Sequence, residues 1–197
     1  VCDASPALYP CFGLHPFYLE QHVAADIERL AQQIGQHRPV AMGEIGLDYF
    51  VEGLDRKRQI SLFEDQLGVA ANASLPVLLH VRKSHDDVLS SLRKNPVKGG
   101  ICHAFNGSLQ QANRYIELGF KLGFGGMLTY ERSHKLQQLA KLLPIESIVL
   151  ETDAPDMTVA SHHGQRNSPE YLPECLQALA NARAEDVTSV AAQTTAN

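Results

Sequence analysis

Four short apolar runs each close on a side chain able to hold a metal ion: residues 39–44 on Glu44, 75–80 on His80, 99–103 on His103 and 148–153 on Asp153. Buried strands of a parallel sheet have this character, being short, aliphatic or β-branched, and without polar alternation. In a barrel of parallel strands the C-terminal strand ends open into one mouth. Two imidazoles and two carboxylates scattered along the chain are therefore expected to converge. Such a donor set suits divalent ions such as zinc or manganese.

Composition narrows the alternatives. A chain of 197 residues with 44% hydrophobic and 20% charged side chains has enough apolar material for one sizeable core and is not expected to be disordered. No apolar segment approaches bilayer length and no signal-peptide pattern opens the chain, so a membrane role is not expected. The four cysteines, Cys2, Cys11, Cys102 and Cys175, form no CxxC pair, which fits a reducing cytoplasm better than a disulfide scaffold. Cys102 is read as a packed strand residue facing away from the mouth. A formal net charge of −5 argues against a broad footprint for duplex nucleic acid. It leaves a phosphate substrate open, because bound cations can supply the missing positive charge.

Strand-like and helix-like segments alternate throughout. Strands are predicted over 8–13, up to Glu44, over 75–81, up to His103, over 120–124 and over 145–151. Helices are predicted over about 23–34, after Asp55, after Ser84, from Ser108 to Ile116, from Ser133 to near Leu143, and over 169–182 and 184–192, with Asp186 able to cap the last. This regularity predicts an α/β fold with a parallel sheet. A doubly wound sheet gathers its ligands at one switch point, whereas candidate ligands here follow at least four strands, which favours a barrel. A (β/α)8 TIM barrel needs eight strands, and about six β/α units are visible. The start without Met and the end inside a helical pattern add to that shortfall. The expectation is one hydrolase barrel domain over 1–197, truncated at the N-terminus and at the C-terminus.

Six motifs, in order, carry a family resemblance: Gly13-Leu14-His15-Pro16, the stretch from Gly43 through Glu44 to Tyr49, Leu75 to Arg82 around His80, His103 to Ser108, Glu151-Thr152-Asp153-Ala154-Pro155, and Arg166-Asn167-Ser168-Pro169. Together they resemble the TatD family of metal-dependent deoxyribonucleases, within the amidohydrolase-like barrels. The resemblance implies a hydrolase that cleaves DNA phosphodiester bonds at two divalent metal ions, whether zinc, manganese or magnesium. It implies that Glu44 bridges the two ions, that His80 and His103 complete one site, and that Asp153 joins a His-x-His pair at the other. Nothing before Leu8 supplies that pair.

The chemistry explains these residue types. A metal ion lowers the pKa of bound water toward ~7 and stabilises charge on phosphoryl oxygens. Metal-activated water then attacks phosphorus, and Asp153 is placed to accept its proton. Each residue also has a plainer reading. Asp153 fits a helix cap, although Pro155 disfavours helical geometry just before it. His80 and His103 fit hydrogen-bonded core histidines, and Glu44 fits a salt bridge to Arg82. His15 is not a metal ligand in the family pattern. It contacts either a substrate phosphate or a metal-bound carboxylate, or it is a turn histidine before Pro16. Asp48 either orients a neighbouring ligand or begins a loop. Arg82 and Arg166 are candidate phosphate-binding residues, guanidinium being a bidentate donor, or else surface pairs. Lys83 is read as solvated. Asn106-Gly107-Ser108 is an anion-holding helix start or a simple N-cap. His162 and His163 are read as mobile loop residues. Phe12, Phe17, Tyr18 and Tyr49 are read as core or pocket packing before base stacking. Two rival functions stand beside the nuclease. One is an amidohydrolase-type enzyme acting on a carbonyl or amidine. The other is a catalytically incomplete fragment that binds ligand.

Overall fold

The computed structural model describes residues 2, 5 and 7–197. The chain divides into two compact units, 1–101 and 102–197.

In the first unit β1 (Cys11–Phe12), β2 (Ala41–Asp48) and β3 (Val77–Arg82) pair in parallel, with Cys11 opposite Ala41, Met42 opposite Val77 and Asp48 opposite Arg82. Helices α1 (Ala25–His37), α2 (Arg56–Ala73) and α3 (His85–Lys94) alternate with them. Met42, Ile45, Leu47, Val77 and Leu79 on the strands are buried, as are Phe63, Leu67 and Ala70 on α2 and Val88, Leu89 and Leu92 on α3. Asp55 caps α2 by accepting the N–H groups of Lys57 and Arg58, as its position predicts. Ser84 precedes α3 but caps nothing, because its hydroxyl donates to the Leu47 carbonyl at 2.7 Å.

Strand bounds differ from the sequence reading: β1 keeps only Cys11–Phe12 of the predicted 8–13, and β2 differs most. β2 does not end at Glu44 but runs on to Asp48, with an irregular register between Met42 and Ile45. Ile45 and Leu47 continue the buried face, and Gly46 allows close approach, since a Cβ there would collide with the His80 carbonyl. Glu44 therefore projects from an irregularity inside the strand.

β4 (Gly100–Cys102) lies where the chain passes from one unit to the next. The second unit holds α4 (Leu109–Glu117), β5 (Phe120–Phe124), α5 (His134–Leu142), β6 (Ile148–Leu150), α6 (Leu172–Arg183) and α7 (Val187–Ala196). β5 and β6 pair in parallel, Leu122 opposite Ile148. Ser108 and Gln111 form a reciprocal capping box on α4, and Asp186 caps α7. β6 is shorter than expected, because residues 145–147 form a 3-10 turn. Cys102 is fully buried, and all four cysteines are free thiols. Among the described residues no helix is long and apolar enough to cross a membrane.

Candidate metal centre

His15, Glu44 and His80 each offer a ligand atom within 4.8 Å of the others in the first unit. His80 has a carboxylate at each ring nitrogen: Nδ1 is 2.9 Å from Glu44 Oε1, and Nε2 is 3.0 Å from Asp48 Oδ2. Burial works against the His80 cation, but the hydrogen bonds and charges of Glu44 and Asp48 outweigh it and raise the ring's pKa. Burial likewise opposes the Asp48 anion, yet His80 and the N–H groups of Phe50 and Val51 hold its pKa below the usual carboxylate range. Asp48 meets His80 through Oδ2 while Oδ1 accepts from the Phe50 and Val51 amides at 2.9 and 3.2 Å, where the next loop begins.

This donor set fits a divalent ion. Asp48, which is 1% exposed, holds Nε2 of His80, so an ion shared with Glu44 would be taken at Nδ1. Metal and proton compete for that nitrogen. His15 stands differently. Its Nδ1 accepts the Phe17 amide at 3.1 Å, which puts the proton of the neutral ring on Nε2, 3.6 Å from Glu44 Oε1. It faces that carboxylate as a donor.

Two glutamines of α2 hold these positions. Gln59 is buried and pairs with both backbone groups of Asp48, at 2.8 and 2.9 Å. Gln66, seven residues on, does the same for Leu14 beside His15, at 2.7 and 3.1 Å. Neither glutamine stands out in the sequence. The available signal is two amides on the same face as Phe63, Leu67 and Ala70, since a buried amide needs partners.

The second unit builds a similar device around His103. Its Nδ1 is 3.1 Å from Glu151 Oε1, and its Nε2 is 3.9 Å from Asp153 Oδ1. Glu151 Oε1 also accepts the Ala104 amide at 2.7 Å. A Cβ at Gly123 would collide with Glu151 Oε2, so the glycine leaves room for that carboxylate. Glu151, like Gln59 and Gln66, carries no role in the sequence reading. A carboxylate at the end of a strand with a buried start, two residues before Asp153, is costly without partners. Asp153 caps no helix: it has a φ of 57° and its carbonyl accepts the Asp156 amide in a turn. Asn167, 2% exposed, ties this loop by donating through Nδ2 to the Thr152 and Asp156 carbonyls, at 2.5 and 2.6 Å. A cavity of about 220 Å³ lies beside Asp153, walled by Phe105, Phe124, Leu128, Leu136 and Met157.

Other expected residues fall as follows. Arg82 and Lys83 are exposed beside the Phe50 ring, the Arg82 guanidinium carbon 3.7 Å and the Lys83 ammonium 4.6 Å from its centroid. Lys83 therefore has an aromatic neighbour as well as solvent. Arg166 is exposed while its neighbour Asn167 is buried. Phe17 and Tyr18 are 52% and 50% exposed, which corrects the packing expectation for both, because short 3-10 structure after Pro16 turns them outward. Phe12 is half-buried and meets His37 edge-on. His162 and His163 each have set partners rather than a loose loop: His162 stacks on Tyr171 at 4.1 Å, and His163 Nδ1 lies 3.1 Å from the Tyr130 hydroxyl.

The chain resembles known proteins along its whole length. The sequence profile of the family described as "TatD related DNase" matches residues 1–197. The chain is 42% identical over 188 residues to the uncharacterized metal-dependent hydrolase YjjV of Escherichia coli (strain K12), covering 93% of this chain and 72% of that protein. The 3'-5' ssDNA/RNA exonuclease TatD of Escherichia fergusonii is 32% identical over 200 residues, covering 98% of this chain and 76% of that protein. The crystal structure of Escherichia coli YjjV superposes with a TM-score of 0.94 at 38% identity, covering 99% of this chain and 76% of that one. The fold is thus α/β with six parallel strands, of the TIM-barrel family.

Proposed function

We propose that this chain, which belongs to the TatD-related DNase family of metal-dependent hydrolases, hydrolyses phosphodiester bonds of DNA. Residues 1–197 act as one catalytic barrel domain in this reading. Glu44, His80, His103 and Asp153 would hold two divalent ions of zinc, manganese or magnesium. The observation that carries it is His80, whose one nitrogen is fixed by buried Asp48 while the other faces Glu44. A histidine so oriented is prepared for an ion. The single-stranded substrates named for the Escherichia fergusonii relative support a nucleic-acid substrate. The free thiols support a reducing, cytoplasmic setting.

When bound, the ions would acidify water and neutralise charge on the phosphoryl oxygens. The residues of the chain do the rest. Asp153 accepts the proton of the attacking water. His15, donating from Nε2, restrains the Glu44 carboxylate or meets a phosphate oxygen. Arg82 and Arg166 offer planar donors to the substrate phosphate.

The test is cleavage of a labelled DNA strand with added Mn²⁺, Mg²⁺ or Zn²⁺, run beside amide and lactone substrates. Metal-dependent cleavage of DNA that falls by at least about 100-fold in Glu44→Gln is expected, by analogy with loss of a central charge-stabilising group. Turnover of the carbonyl substrates alone would overturn the reading in favour of an amidohydrolase. An undiminished rate in the variant would remove Glu44 from the centre.

A further inference from the structure

We infer that the first unit carries a stacking platform for the bases of single-stranded nucleic acid, made by Phe50 with Arg82 and Lys83 and continued by Phe17 and Tyr18. The inference rests on the phosphodiester reading above, and it names how the strand is held rather than how it is cut.

An exposed aromatic ring usually costs free energy in water, and here three are exposed close to the candidate centre. Phe50 is 49% exposed, and Phe17 and Tyr18 expose about half their surface. Each is tied by short links to the metal-capable cluster. The Phe50 amide donates to Asp48, which holds His80. The Phe17 amide donates to His15, whose ring meets those of His80 and Tyr18 at 4.5 and 6.1 Å. Phe17 and Tyr18 meet edge-on at 5.1 Å. These rings therefore sit two or three residues beyond His15 and Asp48, the side chains that meet Glu44 and His80.

Charge separates this surface from an ordinary apolar patch. Arg82 and Lys83 lie against the Phe50 ring, and the Arg56 guanidinium carbon lies 4.4 Å from the Tyr49 ring centroid. Acidic groups are present too: the Tyr49 hydroxyl donates to Asp87 at 2.7 Å. Lys83 takes a φ of 55°, a conformation that a long side chain rarely adopts. Rings interleaved with cations are what a single strand needs, because each unpaired base offers a π-face and each nucleotide a negative charge. A duplex hides its faces in the stack, and the net charge of −5 does not suit its dense phosphates.

The experiment measures binding in EDTA, where no metal-dependent turnover occurs, by fluorescence anisotropy of the whole chain. The probes are a labelled oligothymidylate and an abasic strand of equal length and charge. The protein should bind oligothymidylate roughly tenfold more tightly than the abasic strand. Phe50→Leu, which keeps apolar bulk at an exposed position, should erase most of that preference, and Phe50→Tyr should keep it. Lys83→Gln should weaken both probes alike. Equal binding of the two probes by the unaltered protein, binding of neither, or a preference that survives Phe50→Leu would overturn the platform. Those results leave metal-dependent cleavage to be judged by its own assay. A protein that prefers bases through Phe50 yet never cuts DNA would instead sink the hydrolase reading and keep the platform.

Discussion

The two units orient a histidine by the same principle and with opposite ring nitrogens. In the first, buried Asp48 fixes Nε2 of His80 and leaves Nδ1 toward Glu44. In the second, Glu151 fixes Nδ1 of His103 and leaves Nε2 toward Asp153, at 3.9 Å. The supporting carboxylate comes from a different place in each. Asp48 lies four residues after Glu44 at the end of β2, and Glu151 lies two residues before Asp153. In both, a carboxylate sets one ring nitrogen and the other nitrogen faces a second carboxylate, and either nitrogen can play either part. The first arrangement is tighter, since His80 has a carboxylate within 3.0 Å on both sides.

Neutralising the supporting carboxylates should have the largest effect. Asp48→Asn and Glu151→Gln should each lower metal affinity or metal-dependent turnover by about 10- to 100-fold, with the fold retained by circular dichroism. An Asp48→Asn variant that titrates with Mn²⁺ like the unaltered protein would remove the orienting role from the first unit.

Next in size come the clamps behind each device. Gln59→Leu strands both backbone groups of Asp48, and Asn167→Leu strands the carbonyls of Thr152 and Asp156. Each should cost roughly 1–3 kcal/mol in urea unfolding, the usual penalty for buried polar groups left unpaired. A cost near zero for either would mean that solvent replaces the lost partner.

Acid should give the smallest effect. Asp26 in α1 accepts the Val23 amide, and that bond, aided by Arg29, lowers its pKa. A group whose folded pKa is depressed stabilises the fold above its ordinary pKa, and the contribution is lost as pH falls through the folded value. Asp26→Asn should therefore flatten the pH dependence of thermal stability in the acid range while changing little at neutral pH. An identical acid profile in the variant would contradict this.

Much of this was legible in the chain. Runs of aliphatic residues located the strands, and Asp55, Ser108 and Asp186 marked helix starts, because those signals act within a few residues. β2 was harder. Glu44 resembles a strand end, and only packing reveals that Ile45 and Leu47 carry the strand onward through an irregular register. The four candidate ligands stood out because metal chemistry restricts residue type. Their supports did not: Gln59, Gln66, Glu151 and Asn167 act through hydrogen bonds to partners up to 52 residues away. No local pattern records such pairings. Phe17, Tyr18 and Phe50 were obscured for a related reason, since an aromatic side chain reads as core until its exposure is known.

If His80 and His103 both ligate metal, X-ray absorption at the zinc edge of the zinc-loaded chain will show imidazole scattering with nitrogen at about 2.0–2.1 Å, weakened in His80→Ala and again in His103→Ala. An all-oxygen shell, or imidazole scattering that neither substitution reduces, would contradict it.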